Sequence, residues 1–163
     1  DGGFAAWKRE NRPLDAAVPA PREGRFEPRP AAGMTVDANG VAALLGDPAA
    51  KIVDARAATR FMGENETLDP VAGHIPGSHN RFWQHNLGYD GRFLTPEELR
   101  AEFLEELDGV SPERVVHSCG SGVTACHNLF AMELAGLAGS RLYPGSWSEW
   151  CADPARPVAT GPK

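Results

Sequence analysis

The chain has 163 residues, of which 42% are hydrophobic and 23% charged, the balance of an ordinary soluble globular protein. Its 16 Lys and Arg against 22 Asp and Glu give a net charge of −6, which argues against a basic nucleic-acid surface or attraction to anionic lipid. No apolar run approaches the roughly 18 residues of a membrane span, and the odd, sparse set Cys119, Cys126 and Cys151 suits a reducing, cytoplasmic compartment better than a disulfide framework.

The chain opens with Gly2-Gly3-Phe4-Ala5-Ala6-Trp7, a pattern repeated near its end as Gly145-Ser146-Trp147-Ser148-Glu149-Trp150. Each has a glycine, a small residue, an aromatic, two spacers and tryptophan. The repeat is read as the tail of a preceding homologous domain, residues 1–12. Pro13, Pro19, Pro21, Pro28 and Pro30 follow, with Arg, Glu and Ala between them. Proline fixes φ and donates no hydrogen bond, so residues 13–33 are expected to form an extended interdomain linker.

From residue 34 to 155 the pattern is that of an α/β domain, and residues 156–163 form a C-terminal tail. Asp37 is placed to cap a short helix carrying Val41, Leu44 and Leu45, with Gly46 ending it. Lys51–Asp54 (KIVD) reads as a buried strand and residues 63–80, rich in Gly, Pro, Asn and Asp, as loop. Thr95-Pro96-Glu97-Glu98 is a capping box with proline at the first helical position, and Leu99, Phe103 and Leu107 then share one face. Residues 114–118 (RVVHS) read as a second strand, 119–122 as a glycine-bearing loop, 123–135 as a helix and 141–143 as a last strand. Strands alternating with helices predict a small, mostly parallel sheet with helices on both faces.

The chemistry is expected at the loop Cys119-Gly120-Ser121-Gly122-Val123-Thr124. A strand delivers Cys119 to its carboxyl end, where ligands bind in α/β sheets. The two glycines let the chain curl, so that backbone N–H groups converge at a helix N-terminus and form an anion site. Such a field favours a thiolate, the nucleophilic form, so Cys119 is predicted to be an anionic, partly exposed thiolate. A cysteine phosphatase would need an arginine at the end of this loop to fork two phosphate oxygens, but that position is Ala125. His117, Cys119, Cys126 and His127 lack zinc-ligand spacing, so no metal is predicted. Cys126 is expected to pack in the core, although its position also suits a resolving thiol; Cys151 is expected to be inert.

These residues carry a resemblance. Cys119-Gly120-Ser121-Gly122-Val123-Thr124-Ala125 resembles the active loop of rhodanese-superfamily sulfurtransferases, in the form found in 3-mercaptopyruvate sulfurtransferases. Gly73-His74-Ile75-Pro76-Gly77-Ser78 and the segment from Tyr143 to Trp150 resemble two further signatures of that family, and the first eight residues resemble the end of its amino-terminal domain. The resemblance implies a rhodanese-like three-layer α/β/α fold and the catalytic half of a tandem enzyme whose amino-terminal domain is missing here. It implies sulfane-sulfur transfer from mercaptopyruvate or thiosulfate to cyanide or a thiol through a Cys119 persulfide, with no cofactor. Gly120, Ser121, Gly122, Val123 and Thr124 would hold the persulfide, and Arg60 would bind the anionic end of the donor. Ser121 would relay a proton or hold the substrate carbonyl, and Trp147 would wall the pocket. Gly120 and Ser121 point to mercaptopyruvate, whereas Thr67-Leu68-Asp69-Pro70 stands where the mercaptopyruvate enzymes carry a second arginine, which points away. A non-catalytic rhodanese-like binding module and a Cys119/Cys126 redox relay are the competing readings. Arg56 is expected to pair with Asp54, His74 to be structural, His79 and His85 to lie in surface or loop positions, and His117 to pack in the core or tune the site.

Overall fold

Four short strands form the centre: Lys51–Asp54 (β1), His79–Asn80 (β2), Val115–Ser118 (β3) and Arg141–Leu142 (β4). In the computed structural model they make one parallel sheet in the order β2-β1-β3-β4. The structure describes residues 1–29 and 31–162; Pro30 in the expected linker and Lys163 at the end of the expected tail lie outside the described residues. Every residue of β1 and β3 is buried, which is why these strands read as short continuous runs rather than alternating ones.

The two faces of the sheet carry different helices. Ile52 and Val116 pack with Ala38 and Val41 of helix Ala38–Ala42 (α2) and with Trp147 and Trp150 of helix Ser146–Ala152 (α6). Val53 and Val115 pack on the other side, against Leu99, Phe103 and Leu107 of helix Pro96–Leu107 (α4) and Ala131 and Met132 of helix Ala125–Leu134 (α5). The chain is therefore an α/β/α sandwich. Burying side chains such as Leu99, Phe103 and Leu107 contributes about 1.5–3 kcal/mol each relative to exposure.

The local signals hold where chemistry is local. Thr95 Oγ1 accepts the Glu98 N–H at 3.3 Å and Glu98 Oε2 accepts the Thr95 N–H at 2.9 Å, closing the capping box. Asp37 Oδ1 accepts the Gly40 N–H at 2.8 Å. α2 is shorter than expected, with Leu44 and Leu45 in the turn that follows, and α5 starts at Ala125 because Val123 and Thr124 still belong to the preceding turn. Three helices arise where none was foreseen, at Gly3–Arg9 (α1), at Ala58–Phe61 (α3) and at α6. β2 corrects the reading of residues 63–80 as loop throughout. A two-residue strand has no period to detect; its backbone pairs with β1 at Val53 and Asp54, and Asn80 Nδ2 adds hydrogen bonds to the carbonyls of Asp54 (3.0 Å) and Arg56 (2.8 Å).

At the start of the chain, helix Gly3–Arg9 (α1) lies against the loop before α4. Arg92 pairs with Glu10, Arg9 donates to Asp90 O at 3.4 Å, and Asp1 Oδ2 accepts the Phe93 N–H at 3.1 Å. Residues 13–29 are exposed and have no regular secondary structure. Among the described residues no helix is long and apolar enough to cross a membrane.

The register positions the site. Asp54 lies opposite Ser118, and Ala55 N–H continues the ladder to Ser118 O at 2.9 Å. The chain after β1, with Arg56 and Arg60, therefore leaves the sheet beside the chain after β3, which is the cysteine loop.

Candidate active site

The loop after β3 is held from below by the start of α6. Cys119 N–H donates to Ser146 Oγ at 3.0 Å, and that hydroxyl donates to Tyr143 O at 2.9 Å. Trp147 N–H donates to Cys119 O at 3.0 Å, and Ser148 N–H to Gly120 O at 2.9 Å. In a trans peptide the C=O and the following N–H point in opposite directions. With the carbonyls of Cys119 and Gly120 turned to α6, the N–H groups of Gly120 and Ser121 point away from it, to the cleft side. The N–H groups of Gly120, Ser121, Gly122, Val123 and Thr124 make no hydrogen bond among the described residues. Gly122 makes the curl possible: its φ is 79°, and a Cβ there would meet Pro144 O at 2.5 Å.

These unspent donors border a cleft of about 490 Å³ lined by Arg60, Asp69, Trp83, Cys119, Ser121 and Ser148, among others. Cys119 is only 2% exposed, which corrects the expectation of a partly exposed thiol. It packs with Ala55 and Ala125, and Trp83 and Leu142 close over this cluster. Ser121 and Val123 are exposed at the rim, the latter 73%.

Two arginines reach this cleft and are held differently. Arg56 is buried as a structural ion pair, as its position beside Asp54 predicted. Its Nε and Nη2 donate to the Asp54 carboxylate at 2.7–3.1 Å, Nη2 also donates to Gly73 O at 2.8 Å, and the guanidinium lies 5.0 Å from the centre of the Trp147 ring. Arg60 is brought to the cleft, with Nη1 3.5 Å from where a Cβ on Gly120 would sit. Its other edge is already occupied. Nη2 donates to both oxygens of Glu66 (2.8 and 2.9 Å) and to Asp69 Oδ2 (3.2 Å), and Nε donates to Glu66 Oε2 (3.2 Å). Burial pushes the Glu66 carboxyl upward, but the N–H groups of Leu68 and Asp69 together with Arg60 outweigh it and hold the group below its ordinary value. Asp69 Oδ1 accepts the Ser148 hydroxyl at 2.6 Å.

Two further expectations need correction. Trp147 does not wall the cleft: it is 1% exposed in the core beneath the loop, with Nε1 donating to Val71 O at 2.9 Å. The direction of α6 turns residue 147 into the core and residue 148 to the cleft, and the aromatic lining comes from Phe82 and Trp83. Cys126 is exposed, not core-packed, because the buried face of α5 is Ala125, Asn128, Ala131 and Met132. Its thiol donates to Gly122 O at 3.3 Å. Cys151 is buried, and burial pushes its thiol up.

The histidines divide clearly. His74 stacks on Phe61 at 3.8 Å and its Nδ1 meets Phe61 O at 2.8 Å. His117 is fully enclosed, with Nε2 3.2 Å from Met132 Sδ; burial, then the charge of Arg81, lowers its pKa to about 3. It is neutral and packs in the core. His79 is half-buried in β2 and His85 is exposed.

Sequence reasoning did not single out Ser146, Ser148, Glu66, Asp69, Phe82 or Trp83. The two serines lie inside a family signature, so a signal is present for them; the carboxylates lie in a loop, and Phe82 and Trp83 at the start of the short 3-10 helix Trp83–Asn86, with no spacing to read.

Comparison with known proteins follows the same lines. The sequence profile of the Rhodanese-like domain matches residues 37–153. The chain is 53% identical over 161 residues to the "Probable 3-mercaptopyruvate sulfurtransferase" of Pseudomonas aeruginosa, covering 99% of this chain and 57% of that protein. It is 39% identical over 154 residues to the 3-mercaptopyruvate sulfurtransferase of Homo sapiens, covering 92% and 51%. An anaerobic ergothioneine biosynthesis enzyme from Chlorobium limicola superposes with a TM-score of 0.84 at 23% identity, over 98% of this chain and 40% of that one, which shows the shared fold. The chain thus spans about half the length of the curated relatives it matches.

Proposed function

The chain belongs to the Rhodanese-like domain family, and on that premise we propose that it is the catalytic domain of a sulfurtransferase that carries sulfur as a Cys119 persulfide. The observation that carries this reading is the run of five unspent N–H groups from Gly120 to Thr124 around a buried cysteine. These N–H groups contribute no hydrogen bond to the fold, and as a run at the mouth of the cleft they suit a negative charge on an atom attached to the sulfur.

The chemistry closes without a cofactor. With mercaptopyruvate, the Cys119 thiolate attacks the donor sulfur; an S–S bond forms, the C–S bond breaks, and the electron pair leaves on carbon as the enolate, which takes a proton to give pyruvate. With thiosulfate, the thiolate attacks the outer sulfur and sulfite leaves with the electron pair. In both cases a persulfide remains on Cys119, its outer sulfur held by the loop N–H groups. Cyanide or a thiolate then attacks that outer sulfur and regenerates the Cys119 thiolate, completing a ping-pong cycle. Arg60 meets the anionic end of the donor through Nη1. Ser121, exposed at the rim, holds the donor carbonyl or passes a proton.

Residues 1–12 are read as the tail of a preceding domain of the same fold, residues 13–33 as the linker between the two, and residues 156–163 as a C-terminal tail. The support is the parallel between α1 and α6. Each enters its helix through a residue of positive φ, Gly3 at 59° and Ser146 at 50°. Trp147 and Trp150 are 1% and 0% exposed, whereas Phe4 and Trp7 in the matching positions are 66% and 42% exposed. α1 thus carries the aromatic pair of α6 without the core that covers it. The free thiols fit a cytoplasmic, reducing setting.

Single-turnover chemistry tests the reading. Mixed with mercaptopyruvate and no acceptor, the protein releases one pyruvate per active site; Cys119→Ser releases none. Equal release by both would discard the proposal.

A further inference from the structure

Asp69 sits at the cleft as a built-in anion. Its Oδ2 takes Arg60 Nη2 at 3.2 Å and its Oδ1 takes the Ser148 hydroxyl at 2.6 Å. Both partners line the cleft with Cys119. Behind it, Glu66 takes the rest of the Arg60 fork and also accepts the N–H groups of Leu68 (2.9 Å) and Asp69 (3.2 Å). Glu66 approaches Arg56 Nη1 at 3.5 Å as well, but Arg56 is committed to Asp54. The side chains of Glu66 and Asp69 are only 2% and 8% exposed, so solvent screens these charges weakly.

The charge arithmetic follows. Arg56 and Arg60 face Asp54, Glu66 and Asp69, two cations against three carboxylates. A donor anion receives help from the loop N–H groups at its reacting sulfur and from Arg60 at its other end, but Arg60 already carries two carboxylates. One negative charge on a donor suits that supply. A second one is repelled by Asp69, and Arg56 Nη1, which makes no hydrogen bond, is buried 3.5 Å from Glu66 and so already faces a carboxylate.

We propose that Asp69, acting through Arg60, is the residue that sets donor charge, favouring singly charged mercapto acids over the thiosulfate dianion. The inference rests on the sulfurtransferase reading and extends it to substrate choice. The cleft resolves in this way the two opposing signals in the sequence: the Gly120-Ser121 loop and the aspartate at position 69 both disfavour a dianion.

The test is steady-state kinetics with both donors on wild type, Asp69→Asn, Asp69→Ser and Asp69→Glu. In both neutral variants kcat/KM for thiosulfate rises relative to mercaptopyruvate by at least about fivefold, the effect of one unit charge about 4 Å away even at the dielectric of bulk water, and by more where solvent screens weakly. The rise lies in the donor KM, while the acceptor KM stays unchanged. Asp69→Glu restores the wild-type preference. A merely structural role would alter both donors alike and leave their ratio constant, and a constant ratio in both neutral variants overturns the inference. Intact mass of the wild type keeps the two claims apart. If Cys119 takes up sulfur and the ratio does not move, this inference alone is wrong. If Cys119 takes up sulfur from neither donor, the sulfurtransferase reading falls and takes the inference with it.

Discussion

Ser146 Oγ accepts the backbone N–H of Cys119 at 3.0 Å across 27 residues of sequence. The same hydroxyl donates to Tyr143 O at 2.9 Å, so one buried side chain joins the end of β3 to the start of α6. Replacing Ser146 with alanine leaves the Cys119 N–H buried without a partner. Such a loss costs about 1–3 kcal/mol. Ser146→Ala is therefore expected to lower the midpoint of urea unfolding and to slow sulfur uptake by Cys119, both measured on one preparation. Unchanged values for both would show that the tie is idle.

Gly122→Ala should damage the loop more than the fold. The φ of 79° alone is a strained conformation for alanine, worth about 1–3 kcal/mol, and the new methyl would press on Pro144 O. The expected outcome is a protein that retains the circular dichroism of an α/β fold and takes up little or no sulfur. Full activity in this variant would mean that the curl of the loop is not needed.

His117 makes stability depend on pH. Its pKa falls from 6.5 to about 3 in the fold because burial penalises the imidazolium. The unfolded chain therefore binds a proton that the folded chain refuses between these values. The contribution is fully present above about pH 6.5 and is lost as pH falls towards about 3, at up to about 1.4 kcal/mol per pH unit. His127, also lowered by burial, adds in the same direction. Urea unfolding at several pH values should show this decline, and His117→Leu should flatten it. A variant with the full wild-type slope would assign the titration elsewhere.

Cys126→Ser is expected to turn over donors at the wild-type rate. Cys126 is exposed on α5 with its thiol on Gly122 O, and the mechanism above gives it no step. Loss of turnover in this variant would favour the relay reading, in which Cys126 resolves a sulfur species formed on Cys119.

What the sequence revealed depended on distance along the chain. The capping box at Thr95, the buried face Leu99, Phe103 and Leu107, and the glycine loop after Cys119 are contiguous patterns with a local physical cause, and all were legible. The Ser146 tie was not, because nothing in either segment announces a partner 27 residues away. Trp83 and not Trp147 lines the cleft, because the direction of α6 turns residue 147 into the core. Cys126 was read by residue type, as a small hydrophobe. Its place off the buried face of α5 follows from the helical period of Ala125, Asn128 and Met132. Arg60 was identified only through resemblance. That Glu66 and Asp69 already hold it emerges from three dimensions, since residues 63–73 have no periodic pattern.

The central claim is that sulfur resides on Cys119, and intact mass spectrometry tests it most directly. After brief exposure to mercaptopyruvate or thiosulfate and removal of excess donor, the wild type is predicted to gain the mass of one sulfur atom. Cyanide then removes it, and Cys119→Ala never acquires it. A wild type that gains no sulfur from either donor, or a Cys119→Ala variant that gains as much as the wild type, would contradict the account.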